Sequence, residues 1–129
     1  MQSLDEMAKQ FNNKFEIENK SSPDLPRTIA EYRLLSKVVF SEVQEMKESI
    51  SAEDLIEFYD AGIDIIYGTM QQMVMHGFPV DAGLREVHRS NMSKEGRDAD
   101  GKVMKGDNYS PPDLAAVLKK HMEELRKDG

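Results

Sequence analysis

The chain has 129 residues, a length that suits one domain, with 39% apolar and 32% charged residues. Its 24 acidic and 17 basic residues give a net charge of −7, which argues against a nucleic-acid polymer or an anionic membrane as main partner. With no cysteine there is neither a disulfide framework nor a thiolate metal site, and no apolar run approaches the roughly 20 residues needed to span a bilayer.

The segment MQSLDEMAKQ lacks the basic and apolar stretches of a secretory leader, so a soluble, cytoplasmic protein is expected. The apolar share is lean for a monomer, and some helix surface is expected to be buried against a second copy. Residues 2–15 carry Leu4, Met7, Phe11 and Phe15 at intervals of three and four, the pattern of a short amphipathic helix. The stretch 18–27 (ENKSSPDLPR) reads as a loop. Thr28 with Glu31 forms a capping box that opens a helix running to about Ser49, with Leu34, Leu35, Val38, Val39, Val43 and Met46 as its apolar face. Ser51 is expected to cap the next helix, with Glu53 and Asp54 suiting its positive end. That helix is apolar nearly all round and is expected to be central and buried; Gly77 ends it and Pro79 follows. Asp81 is expected to cap a shorter helix to about Met92. Residues 95–109 are turn-rich, with a small hairpin expected about Asp100-Gly101, and Ser110-Pro111 is expected to start a last helix faced by Leu114, Val117, Leu118, Met122 and Leu125. The expected fold is one all-α domain over 1–129, a bundle of four to five helices with an irregular basic loop near the C-terminus. Of the nine methionines, Met70, Met73 and Met75 are read as adaptable packing.

Carboxylates interrupt both long apolar stripes. Glu42 and Glu45 continue the line of Leu35 and Val38, and Asp60 and Asp64 lie one turn apart on the next helix, Asp64 inside the run Ile63-Asp64-Ile65-Ile66. Antiparallel helices joined by a tight turn bring the two pairs face to face. An unpaired buried carboxylate costs several kcal/mol or takes up a proton, so four together call for shared positive charge. An all-oxygen donor set favours Mg²⁺ or Mn²⁺ over zinc. The same residues also suit solvated charges, with Asp64 bonded to a neighbouring Tyr or Arg.

A second group is basic and amide-rich: His88, Arg89, Ser90, Asn91 and Lys94, then Lys102, Lys105, Asn108 and Tyr109. Such groups neutralise phosphate oxygens and read a sugar or base edge. They equally suit a basic helix end that complements the dipole, followed by a solvated loop. No Walker A, GxGxxG or HExxH pattern occurs, nor an obvious Ser/His/Asp arrangement.

From about Phe11 to Leu118 the chain resembles the all-α nucleoside triphosphate pyrophosphohydrolases, the MazG-like proteins, and among them the phosphoribosyl-ATP pyrophosphohydrolase-like branch. The most specific strings are EVHRSNMSK at 86–94 and DGKVMKGDNYSPPDL at 100–114. The family's EExxE is SExxE here, with Ser41 in the first position and Glu42 and Glu45 kept. The family's ExxD matches Glu57 to Asp60 literally, yet Asp64-Ile-Ile-Tyr67 resembles the run that usually carries the aspartate, which leaves Ala61 at the glutamate position with Asp60 beside it. Asp60 and Asp64 are taken, with Glu57 as the alternative.

The resemblance implies cleavage of a nucleoside triphosphate between its α- and β-phosphates. Mg²⁺, or Mn²⁺, would sit on Glu42, Glu45, Asp60 and Asp64, with Glu42, Glu45 and Asp64 in the catalytic group. Arg89, Lys94 and Lys105 would hold the outer phosphates, and His88, Asn91 and Tyr109 would complete the substrate contacts. Family members are dimers or tetramers, so a homodimer or homotetramer is expected. The expected role is removal of dUTP- or dCTP-like nucleotides. The alternatives are a phosphoribosyl-ATP pyrophosphohydrolase and a non-catalytic nucleotide-binding adaptor.

Overall fold

The computed structural model describes residues 1–128, and these are all-helical. The elements are α1 (Leu4–Lys14), α2 (Ile29–Leu35), a π turn (Ser36–Phe40), α3 (Ser41–Ser51), α4 (Leu55–Met75), α5 (Val80–Asn91) and α6 (Leu114–Asp128). Because α2, the π turn and α3 follow without a break, the chain makes five helical rods. It divides into two compact units, residues 1–78 and the remainder from Pro79. Among the described residues no helix is long and apolar enough to cross a membrane.

In the first unit α1, the π turn and α3 pack against α4. Two capping boxes set the helix starts, Ser3 with Glu6 and Thr28 with Glu31. The turn from α3 to α4 departs from expectation. The amides of Glu53 and Asp54 return to the carbonyls of Ile50 and Ser49 with Glu53 left-handed (φ 52°), a Schellman closure that keeps Ser51 inside α3. Asp54, not Ser51, then caps α4 by accepting from the Glu57 amide at 3.0 Å. At the other end of α4, Phe78 N–H reaches Met73 O and Gly77 N–H reaches Val74 O, with Gly77 at φ +89°, so the glycine terminates the helix as its sequence predicts.

Burial on α4 is concentrated in its second half. Ala61, Gly68, Met70, Gln71, Gln72, Val74 and Met75 form its inner face, whereas Leu55 (79% exposed), Ile56, Tyr59, Ile63 and Ile66 lie bare. The expected central, enclosed helix is thus enclosed over half its length. The bare half, with Met46 and Phe58, lines an apolar groove of about 660 Å³.

Amides occupy much of the first unit's core. Asn12 donates to Asn19 (2.7 Å), Gln71 to Asn12 (2.9 Å) and Gln72 to Gln71 (2.8 Å). At the end of this relay Gln72 Oε1 and both ring nitrogens of His76 are buried without a hydrogen-bond partner. The imidazole is 1% exposed, and its Nδ1 lies 3.7 Å from Glu31 Oε2. Glu31 is itself held by Lys20 at 2.8 Å, by the Arg27 amide and by the Thr28 hydroxyl, which, with Lys20 foremost, pull its pKa down to about 2. Desolvation lowers the pKa of His76, with Lys20 adding to the effect and Glu31 and Asp24 opposing it. A histidine depressed in the fold binds its proton first in the unfolded chain. Its contribution is therefore intact above pH 6.5 and is lost as pH falls below it. The expected result is a stability gap between wild type and His76→Gln that shrinks steadily from pH 7.5 to pH 5, measured by thermal unfolding.

In the second unit α5 packs on α6. Pro79 stands at the N-cap of α5 with no side-chain cap bond, and Asp81 falls in the first turn, where its charge suits the dipole without capping. The last helix starts at Leu114, later than expected. Pro111 and Pro112 have no N–H to give, Ser110 accepts a hydrogen bond from Arg89, and Asp113 takes the cap by accepting from the Ala116 amide at 3.0 Å. The hairpin exists in reduced form: one antiparallel bridge joins Arg97 and Val103, with Gly101 at φ +83° and Asp98 Oδ1 accepting from the amides of Asp100 and Lys102.

Candidate functional site

The acidic group is built by two antiparallel helices whose closest contacts fix its register. A Cβ placed on Gly68 would lie 2.8 Å from Val38 O, and one on Gly62 would lie 3.2 Å from Met46 Cε. Val38 therefore lies opposite Gly68 and Met46 opposite Gly62. Glu42 falls midway between Val38 and Met46, and Asp64 lies between the two glycines, so the pairing predicted from sequence is realised. Glu42 is the centre of the group. A hydrogen bond with Glu45 pushes its pKa up to about 7, and desolvation and the charges of Asp64 and Asp60 act in the same direction. Its Oε2 is buried without a hydrogen-bond partner. Asp64 is half-buried, and Glu45 and Asp60 are exposed beside it. Glu57, the alternative ligand, is also exposed; desolvation, then Asp60 and Glu45, raise its pKa.

Among the described residues no three His, Asp or Glu side chains already close to the spacing of a metal cage. The donor set nonetheless fits a hard divalent cation. A buried, unpartnered carboxylate oxygen held partly protonated at neutral pH by three neighbouring acids is relieved by positive charge, and exposed Glu45 and Asp60 have room to turn towards it.

The basic and amide group belongs to the second unit, where the loop folds back on the end of α5. Ser110 N–H donates to Ser93 Oγ at 2.8 Å, and the amides of Glu95 and Met104 reach Met104 O and Gly96 O. Arg89 is committed to this fold. Its guanidinium grips Glu86 through two bonds of 2.8 Å and donates to Ser110 Oγ (2.9 Å) and Pro111 O (3.0 Å). The Arg89 bonds hold Glu86 at a pKa of about 2, well below the usual carboxylate range, and the Asp113 amide helps. Glu86 thus offsets the charge that sequence reading assigned to phosphate, and its spacing of three before Arg89 was the available signal. Lys105 lies 5.1 Å from the Tyr109 ring centre, a cation–π contact, and Asn108 donates to Glu95. His88 and Asn91 are exposed on α5, and Lys94 is half-exposed just past its end.

No curated protein matches the chain. A family model described as phosphoribosyl-ATP pyrophosphohydrolase matches residues 8–91, which takes in Glu42, Glu45, Asp60 and Asp64 together with His88, Arg89 and Asn91. With well over half its length matched, and with the acidic helices and the start of the basic segment both inside the match, the chain belongs to the phosphoribosyl-ATP pyrophosphohydrolase family, within the MazG-like all-α pyrophosphohydrolases.

Proposed function

We propose that the protein is a Mg²⁺-dependent nucleoside triphosphate pyrophosphohydrolase that cleaves between the α- and β-phosphates, releasing a nucleoside monophosphate and pyrophosphate. The observation that carries this reading is Glu42, whose buried, unpartnered oxygen and raised pKa sit among Glu45, Asp60 and Asp64. These four carboxylates would hold Mg²⁺, with Mn²⁺ as a substitute, and the bound ion would supply Lewis acidity at the phosphate and lower the pKa of water. A carboxylate of the group Glu42, Glu45 and Asp64 would take the proton from an attacking water. Lys94 and Lys105 suit the β- and γ-phosphate oxygens, and His88, Asn91 and Tyr109 suit the nucleoside. Arg89 serves them by pinning the loop through Glu86, Ser110 and Pro111.

The substrate is a dUTP- or dCTP-like nucleotide in a cytoplasmic housecleaning role. A homodimer or homotetramer is part of the proposal, and its support is the bare row from Leu55 to Ile66 on α4, which a second copy would cover. Phosphoribosyl-ATP is the second reading, favoured by the description of the matched family. Pyrophosphate release from dNTPs, NTPs and phosphoribosyl-ATP separates the two. Turnover of dUTP or dCTP at least about tenfold above phosphoribosyl-ATP in kcat/KM, roughly 1.4 kcal/mol of discrimination, is expected. The reverse order moves the protein to the second reading, and metal-dependent nucleotide binding without any release would leave an adaptor.

A further inference from the structure

The π turn between α2 and α3 stands immediately before Glu42. In an α-helix the Ser41 amide would bond Lys37 O, four residues back. Here it bonds Ser36 O, five back, which leaves the Lys37 carbonyl without its backbone donor. The Ser41 hydroxyl takes that place by donating to Lys37 O. The other side of the turn rests on α4. Gly68 meets Val38 so closely that a Cβ would lie 2.8 Å from both Val38 O and Val38 Cγ1. The neighbouring contact differs in kind, since Gly62 faces only the flexible end of Met46 at 3.2 Å. The carbonyl at Gly68 belongs to backbone and has no rotamer to escape into.

The wider turn also changes the angle at which everything after it leaves the helix axis. The turn ends one residue before Ser41 and two before Glu42, so its register sets the direction in which Glu42 and Glu45 leave the helix towards Asp60 and Asp64. We propose that Ser41 and Gly68 are positioning residues, a hydroxyl splint and a backbone stop that hold the π turn and so aim Glu42 and Glu45 at α4. The inference rests on the reading of these acids as a cation site. It also gives the serine that replaces the family's first acid a task of its own: it sets the direction of the carboxylates that remain.

The test is Mn²⁺ binding to the full chain without nucleotide, followed by electron paramagnetic resonance, beside thermal unfolding of each variant. Gly68→Ala is expected to weaken Mn²⁺ by about tenfold or more, the scale of lost support around a metal site. Ser41→Ala weakens it less, and Ser41→Thr, which keeps the hydroxyl, restores it. Val74→Ala, buried on the same helix further from the acids, loses thermal stability yet keeps its Mn²⁺ affinity. Wild-type affinity in Gly68→Ala and Ser41→Ala would overturn the proposal, as would losses that follow melting temperature alone in the manner of Val74→Ala. Should Gly68→Ala fail to fold, the Ser41→Ala and Ser41→Thr pair decides. A wild type that takes up no Mn²⁺ would sink the cation reading itself, and the positioning role with it.

Discussion

Glu42→Gln is expected to slow turnover severely while making the fold more stable at neutral pH. The side chain keeps its size and one carbonyl oxygen but loses the charge that its neighbours oppose. In the wild type the Glu45 hydrogen bond, desolvation and the charges of Asp64 and Asp60 raise the Glu42 pKa from 4.5 to about 7. A carboxyl whose folded pKa is raised holds its proton more tightly in the fold than in the unfolded chain. Stability from this group therefore falls as pH rises from 4.5 to 7, and the full penalty applies above pH 7. Taken at face value the shift is worth about 3 kcal/mol, and solvent reaching a partly exposed side chain reduces it to about 1–2 kcal/mol. The variant should melt several degrees higher at pH 8 and show no difference at pH 4. Its catalytic rate should fall by on the order of 10²-fold or more, because the amide neither accepts the proton of water nor offers a charged oxygen to a cation. Equal melting temperatures at pH 8 would show that the four acids do not repel one another.

Gly77→Ala is expected to be the most destabilising single methyl in the first unit. Two penalties combine. The residue sits at φ +89°, where an L side chain is strained by about 1–2 kcal/mol. The added Cβ would also lie 2.6 Å from Ser22 O and 2.7 Å from Ser22 C, both backbone atoms. That contact is where the loop ahead of α2 clasps the end of α4, through Lys20 N–H to Met75 O (2.8 Å) and Asp24 N–H to His76 O (3.0 Å). Forcing the loop away opens the cover over His76 and loosens the Lys20–Glu31 pair. The expected loss is about 3 kcal/mol, or roughly 12–20 °C in melting temperature for a unit of this size. Gly83→Ala is the contrast, since its Cβ would meet nothing within 4 Å and it should be close to neutral. A Gly77→Ala variant that melts within a few degrees of wild type would show that the clasp does not hold the fold.

Much of the first unit was legible because local chemistry decides it. The Thr28–Glu31 box and the Gly77 stop depend on residues within a turn or two of one another, and each stands where the spacing puts it; the acid pairs face each other because one short turn joins their two helices. The π turn was not legible. SKVVF suits an ordinary helix, and what distinguishes the two registers is Gly68, thirty residues after Val38. The start of α4 was ambiguous because Ser51 and Asp54 both make good caps, and a left-handed Glu53 between them chooses. Periodicity marks α4 as apolar without saying what covers it, so the bare Leu55–Ile66 row could not be told from core. Nor does apolar patterning find a core filled by Asn12, Gln72 and His76. Arg89 read as a phosphate ligand because its charge is visible in sequence, whereas the return of Ser110 and Pro111 to meet it depends on the folded loop.

The central claim is cleavage at the bond between the α- and β-phosphates by the acids around Glu42. Phosphorus NMR of a dUTP reaction with wild type and Asp64→Asn, with Mg²⁺ and then with excess chelator, tests it most directly. The account predicts dUMP and pyrophosphate in equal amounts from the wild type with Mg²⁺, and unreacted dUTP with chelator or with Asp64→Asn, whose fold stays intact. Release of dUDP and orthophosphate, or equal rates in the wild type and Asp64→Asn, would contradict it.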